Sequence, residues 1–155
     1  MSNSNRGLIL IFLTIALTIV GCNRKTVFSH YEHVELDGWE QNDTLVFEIF
    51  GIPAGTYQEE LGLRNSVEYP YMQLSMIANQ QSVSGMKRTD TLQVDMANRT
   101  GKLIGTGISR YYHCLPLGQV TLSDSDTLYV RVNHFMLDND LPGVADVGVT
   151  LKKLK

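Results

Sequence analysis

Thr44–Phe50 reads TLVFEIF, and its alternation decides the fold class: Leu45, Phe47 and Ile49 fall on one side, Thr44, Val46, Glu48 and Phe50 on the other. A two-residue period marks a strand, whose successive side chains point to opposite faces. The same period recurs outward in both directions. Val27–Val34 (VFSHYEHV) sets Val27, Ser29, Tyr31 and His33 against Phe28, His30, Glu32 and Val34, a mixed pattern that suits an edge strand. Gly55–Asn65 aligns Tyr57, Glu59, Leu61 and Leu63, and Met72–Ala78 aligns Met72, Leu74, Met76 and Ala78. Asp90–Met96 aligns Leu92, Val94 and Met96, while Asp126–His134 aligns Leu128, Val130, Val132 and His134. Leu103–Leu115 reads as one long bent strand, and Val144–Leu151 closes the set. Gln80–Lys87 (QQSVSGMK) is polar and glycine-bearing and reads as a long hairpin loop. About eight strands and no helical period of useful length predict an all-β chain, an antiparallel β-sandwich of jelly-roll or immunoglobulin-like type with its strand order open.

The chain has 155 residues, 43% of them hydrophobic, with 16 acidic against 13 basic side chains and a net charge of −3. That composition is ordinary for a folded domain. It contains no basic stripe able to follow a phosphate backbone, which argues against nucleic acid as a partner. No repeat, low-complexity tract or domain boundary is visible. The two cysteines, Cys22 and Cys114, are too few for a disulfide framework or a Cys-rich metal site.

The amino-terminal stretch has signal-peptide anatomy: a polar start with Arg6, then the apolar run Leu8–Val20, ending in Gly21-Cys22. As a helix that run spans roughly 20 Å, short of the roughly 30 Å hydrocarbon core, so it exports better than it anchors. Ile19-Val20-Gly21-Cys22 resembles the bacterial lipobox, in which a small residue precedes a cysteine that is acylated and becomes the new amino terminus. The resemblance implies cleavage between Gly21 and Cys22 and lipid attachment at Cys22. Two or three acyl chains exceed the single chain that binds only marginally. The expected organisation is a lipoprotein signal peptide over 1–21, a lipidated tether over 22–26 and one β-sandwich domain over 27–155. Asn23-Arg24-Lys25 carries neither the aspartate that retains some lipoproteins in the inner membrane nor the acidic residues of surface-exported ones. The expected location is the outer membrane, facing the periplasm.

Catalytic and metal-binding readings are weak. His30 and His33, three apart on a strand, point to opposite faces and make a poor metal pair. His113 and Cys114 likewise face apart, and Cys114 reads as a partly buried, inert thiol. Asp124, Asp126, Asp138, Asp140 and Asp146 read as turn formers, since the stretch from Asp138-Asn139-Asp140 lacks the glutamate that closes a calcium loop. Gly105-Thr106-Gly107 lacks the third glycine of a dinucleotide site and reads as a bulge or close backbone approach. Trp39 serves either as a core plug, the favoured reading, or as a partner anchor. Arg64 can fork onto Asp43 or Asp146 and lock two strands, and Tyr69-Pro70-Tyr71 fixes an extended turn because the residue before proline is pushed out of the helical region. No catalytic set, metal site or cofactor is expected.

Taken in order, Cys22, Phe28–Tyr31, Gly38-Trp39 with Asp43-Thr44-Leu45, Leu63-Arg64-Asn65, Tyr69-Pro70-Tyr71 with Leu74, Gly105-x-Gly107, His134-x-Met136 and Leu141–Gly148 resemble the GldH family of gliding-motility lipoproteins of Bacteroidota. The match runs through the mature chain, and its specificity lies in the ordered set. Against the family pattern the chain has Leu137 where arginine is frequent, Leu103-Ile104 where an aromatic precedes the glycine pair, and Val144 where isoleucine is common. These departures mark a divergent member. The resemblance implies a non-enzymatic envelope lipoprotein working with other envelope lipoproteins and gliding or type IX secretion machinery, with no cofactor. In a non-gliding host it implies a broader envelope role. Its candidate family-motif or partner-contact residues are Trp39, Asp43, Arg64, Asn65, Tyr69, Pro70, Tyr71, Gly105, Gly107, His134, Met136, Asp146 and Gly148. The alternative is a glycan-binding module, for which Tyr31, Trp39, Tyr69, Tyr71, Tyr111 and Tyr112 would supply an aromatic platform. A hydrolase would need two carboxylates about 5 to 9.5 Å apart in a cleft.

Overall fold

The computed structural model describes residues 25–35 and 37–154. The signal-peptide, cleavage and lipidation readings at 1–21, Gly21 and Cys22 lie outside the described residues, as does the first part of the tether.

Among the described residues ten strands form: β1 (Thr26–His33), β2 (Trp39–Glu40), β3 (Leu45–Ile49), β4 (Gly55–Ser66), β5 (Gln73–Ser82), β6 (Lys87–Asp95), β7 (Arg110–Leu122), β8 (Leu128–His134), β9 (Asp140–Leu141) and β10 (Val144–Lys153). Two four-stranded antiparallel sheets, ordered β1-β10-β4-β7 and β3-β8-β5-β6, face one another, and β2 and β9 add a short ribbon. All connections between the long strands except the β5–β6 hairpin cross from one sheet to the other, the winding of a jelly roll. The expectation of a β-sandwich holds. The two strands beyond the expected eight are the two-residue β2 and β9, too short to leave a periodic trace in sequence.

The core lies between the sheets and is filled by the expected faces: Phe47 and Ile49, Tyr57, Leu61 and Leu63, Leu74, Met76 and Ala78, and Leu128, Val130 and Val132. Met72, expected in phase with Leu74, precedes β5 and is exposed. Val27–Val34 is an edge strand as expected, and β3 also lies at an edge, buried on one face. Gln80–Lys87 is not a long loop. β5 runs to Ser82, the Ser82 amide donates to the Met86 carbonyl, and β6 starts at Lys87.

Leu103–Leu115 is not one strand. Gly105 (φ +111) and Gly107 (φ +147) break the chain, and β7 begins at Arg110 and continues past Pro116. Pro116 is tolerated because β7 is an edge strand. A bulge places Glu59 opposite Gly118 and Glu60 opposite Pro116, leaving Leu117 as the extra residue. The inward face consequently shifts from Leu117 to Val120 and Leu122.

Antiparallel pairing sorts the connections to two ends. Lys25, 50–54, 83–86, 123–127 and the last residues of β10 share one end, while 34–35 with 37–44, 67–72, 96–109 and 135–143 share the other. The second end, remote from Lys25, carries the long loops and most of the candidate residues.

Candidate functional site

At the remote end, Trp39 on β2 is buried at 1% exposure, which settles its packing as core. Its indole N–H donates to the Asp43 carbonyl at 3.0 Å. Asp43 therefore acts here through its backbone. His134, at the end of β8, meets the indole edge-on at 5.2 Å and its Nε2 lies 2.9 Å from the Trp39 carbonyl, so Nε2 carries the hydrogen and donates. His134 Nδ1 accepts from the Met136 amide at 3.4 Å. Met136 is held in turn by Gln41, whose side-chain amide donates to its carbonyl, and by the Ser75 amide on its sulfur. Trp39, His134 and Met136 thus form one plug that ties β2 to β8.

Beside it, Tyr69 is buried and donates its hydroxyl to the Gln73 carbonyl at 2.9 Å, with Pro70 exposed at the turn. Tyr71 meets the Tyr69 ring edge-on at 5.8 Å and donates to the Asp138 carboxylate, a bond that raises the phenol pKa. Gly143 (φ +82) fits under this turn because a Cβ there would stand 2.6 Å from the Tyr69 nitrogen. Asn65 is fully buried, bonded to His113 Nε2 at 3.0 Å and to the Ser66 carbonyl at 2.9 Å. Burial lowers the His113 pKa, which favours the neutral ring. Gly105 and Gly107 let the backbone turn closely over this pair. A Cβ on Gly105 would reach within 3.0 Å of His113 Cε1, and one on Gly107 would run into the Arg110 carbonyl.

On the outer face of the first sheet, Asp146 is the shared partner of Arg110 at 3.5 Å, Arg64 at 3.7 Å and His33 Nδ1 at 3.3 Å. The Arg64 partner is therefore Asp146, one strand over in direct register, and not Asp43. The Arg64 guanidinium stands 4.5 Å from the Tyr31 ring centre, whose opposite side rests on Gly148 and Gly62.

The remaining candidates separate. His30 bonds Glu32 at 2.8 Å on the other face of β1 from His33. Cys114 is exposed, not partly buried, because it points outward while His113 points in. Its thiol, 3.4 Å from Glu60 Oε2, has a pKa raised chiefly by desolvation. Asp124 accepts from the Ala54 amide, and Asp126 from the Ser84 amide and hydroxyl and the Thr127 amide. Both serve turns. Among the described residues no three His, Cys, Asp or Glu side chains converge in a group that could hold a metal ion.

Sequence reading missed one cluster, which lies between the sheets. Glu59, aligned with the core face of β4, is fully buried, and its Oε2 accepts from Arg88 Nη2 at 2.8 Å. Arg88 also bonds Asp90 at 2.9 Å and the Gln119 carbonyl at 3.0 Å, and Gln80 donates to Asp90 at 3.0 Å. Burial pushes the Glu59 pKa up to about 7 against the opposing Arg88 charge. Glu59 Oε1 and Gln80 Oε1 have no partner, which a protonated Glu59 would partly relieve by turning an acceptor into a donor. The signal available in sequence was a glutamate in phase with Tyr57, Leu61 and Leu63.

The aromatic platform does not assemble as a stack. Trp39 and Tyr69 are buried, Tyr31 is covered on both sides, and the Tyr69–Tyr71 pair is edge-on at 75°. What the remote end presents instead is apolar: Val67, Met72, Ile104, Ile108, Phe135 and Leu137 are exposed, Leu137 completely. Tyr71, Phe135, Met136, Leu137 and Asp138 line a shallow pocket of about 270 Å³ there.

Among known proteins, the chain is 30% identical over 100 residues to the gliding motility lipoprotein GldH of Flavobacterium johnsoniae, covering 64% of this chain and 62% of that relative. The aligned part is thus under two thirds of that protein's length. A GldH homolog of Christiangramia forsetii is 25% identical over 158 residues and covers 94% of each chain. Among solved structures, a family GH115 4-O-methyl-α-glucuronidase superposes at a TM-score of 0.43 with 9% identity, over 86% of this chain and 18% of that one. That likeness is too distant to bear on activity. The family model of the GldH lipoprotein matches residues 26–151, which span the described strands almost completely, and the chain belongs to that family.

Proposed function

We propose that this family member is a non-enzymatic accessory component of a cell-envelope complex of the gliding or type IX secretion-linked kind, held in the outer membrane through an acylated Cys22 and facing the periplasm. It works by contact with other envelope lipoproteins or gliding-machinery proteins, without nucleic acid or cofactor. One observation carries this reading. The polar candidates at the remote end are engaged in holding its loops, while Met72, Ile104, Phe135 and Leu137 stand in solvent at the end farthest from Lys25. Exposed apolar clusters of this kind mark protein contact surfaces.

The test is crosslinking in the host followed by purification of the full chain from detergent extracts, comparing wild type, Phe135→Ser with Leu137→Ser, and Cys22→Ala. The expected result is a set of envelope proteins crosslinked to wild type and lost in the double variant while its membrane association is retained. Recovery of the same proteins with the double variant sinks the remote-end contact, and soluble fractionation of wild type sinks the anchor.

A further inference from the structure

The end of the sandwich that carries Lys25 has a surface of its own. Phe50 follows β3, Val83 follows β5, and the chain enters β8 through Thr127 between them: Ile49 and Ser82 both pair with Leu128, and the Val83 amide donates to the Thr127 carbonyl at 3.0 Å. Phe50 is 68% exposed and Val83 71% exposed, so two apolar side chains stand out together from adjacent turns. Three lysines surround the same end. Lys25 enters β1, Lys87 opens β6, Lys153 closes β10, and all three are exposed.

The length of chain before Lys25 constrains what faces this surface. Cys22 precedes Lys25 by three residues. Even fully extended, three residues reach about 10 Å. The headgroup layer on each side of the hydrocarbon core is itself roughly 5 to 8 Å deep. A domain tethered this tightly has no room for another folded protein between its Lys25 end and the bilayer, since even a single helix with its side chains is about 10 Å across. Apolar side chains flanked by lysines also suit the interface, where apolar groups enter the acyl boundary and ammonium groups meet anionic headgroups.

We propose that the Lys25 end of the sandwich rests on the bilayer that holds the anchor, with Phe50 and Val83 seated in its interfacial layer and Lys25, Lys87 and Lys153 against the headgroups. This rests on the reading of Cys22 as the lipid attachment site. The contact fixes the orientation of the domain, turning Phe135 and Leu137 away from the membrane.

The experiment uses the full acylated chain, purified from membranes with Cys114→Ser and reconstituted into vesicles of phosphatidylethanolamine and phosphatidylglycerol. A polarity-sensitive fluorophore is attached either at Val83→Cys or at Leu137→Cys, both exposed positions outside the strands, and quenching by lipids spin-labelled near the headgroup is measured. The expected result is quenching at position 83 at least about twofold stronger than at 137, with a blue-shifted emission. Equal and weak quenching at both positions, in protein that floats with the vesicles, overturns the proposal and leaves the anchor standing. Failure of the wild-type chain to incorporate a fatty-acid analogue, or to float, overturns the anchor and the proposal together.

Discussion

Tyr31 rests on Gly148: a Cβ at position 148 would stand 2.5 Å from Cγ of the ring, and one at Gly62 2.8 Å from Cζ. Two glycines on adjacent strands make the hollow in which the ring lies, under the Arg64 guanidinium. Gly148→Ala is expected to cost about 1–3 kcal/mol, the range for overpacking a filled site. Adding Tyr31→Ser should recover part of that loss, so urea unfolding of the double variant should show less destabilisation than the two single effects combined. Strict additivity would mean that the methyl group at 148 strains something other than the ring.

The buried Glu59 gives stability a slope against pH. Its pKa is raised from 4.5 to about 7 in the folded state, so between these values the folded chain binds more protons than the unfolded chain and stability falls as pH rises. His113 acts with the opposite sign. Its folded pKa is lowered from 6.5, so its contribution is lost as pH falls below about that value. Urea unfolding at a series of pH values should therefore show a difference between wild type and Glu59→Gln that changes between pH 4.5 and 7 and is flat above about 8. A constant difference across that range would show that folding leaves the Glu59 pKa unshifted.

Trp39 is the only tryptophan and reports on the β2–β9 ribbon. Its emission should be blue-shifted and poorly quenched by acrylamide until unfolding. Trp39→Ala is expected to cost about 3–5 kcal/mol through the cavity it leaves. Trp39→Phe keeps most of the packing but loses the bond to the Asp43 carbonyl, and should cost less.

Gly143 and Gly51 separate backbone conformation from contact. Both have positive φ, +82 and +68, but a Cβ on Gly51 meets nothing within 4 Å, whereas one on Gly143 meets the Tyr69 backbone. Gly51→Ala should cost about 1 kcal/mol, the left-handed penalty alone. Gly143→Ala should cost more and speed hydrogen exchange at the Ser66 amide, which bonds the Gly143 carbonyl. Equal costs for both would mean that the Tyr69 turn yields freely.

The strand faces of Leu45, Phe47 and Ile49, and of Leu128 to His134, were legible because a two-residue period is a local property. The β5–β6 turn was not. Gln80 and Ser82 continue the inward face of β5, yet they are polar: Gln80 is buried against Asp90 across the β5–β6 pairing, and Ser82 is buried by bonds to Ser84 and the Met86 amide within the turn itself. The break at Gly105 and Gly107 was legible as close backbone approach, but the bulge at Pro116–Gly118 shifts the inward face by one residue and hides β7 from a periodicity test. At the site, the pairing of Arg64 with Asp146 was one of two readings, and the direct register of β4 and β10 decides between them. Glu59 was visible only as a carboxylate in an apolar row. Its partner Arg88 lies on the opposite sheet, and no local pattern points to it.

The register of β1 against β10, unbroken from Phe28 to His33, has a mechanical meaning. A pull applied between Lys25 and the loops at the opposite end runs along β1. Sliding the strand out requires that its ladder bonds to β10 give way together, whereas a sideways pull would open them one at a time. Survival under load is set by the unfolding rate along the direction of force, not by equilibrium stability. The fold therefore presents its resistant axis between the point where the chain enters and the surface on which Leu137 stands.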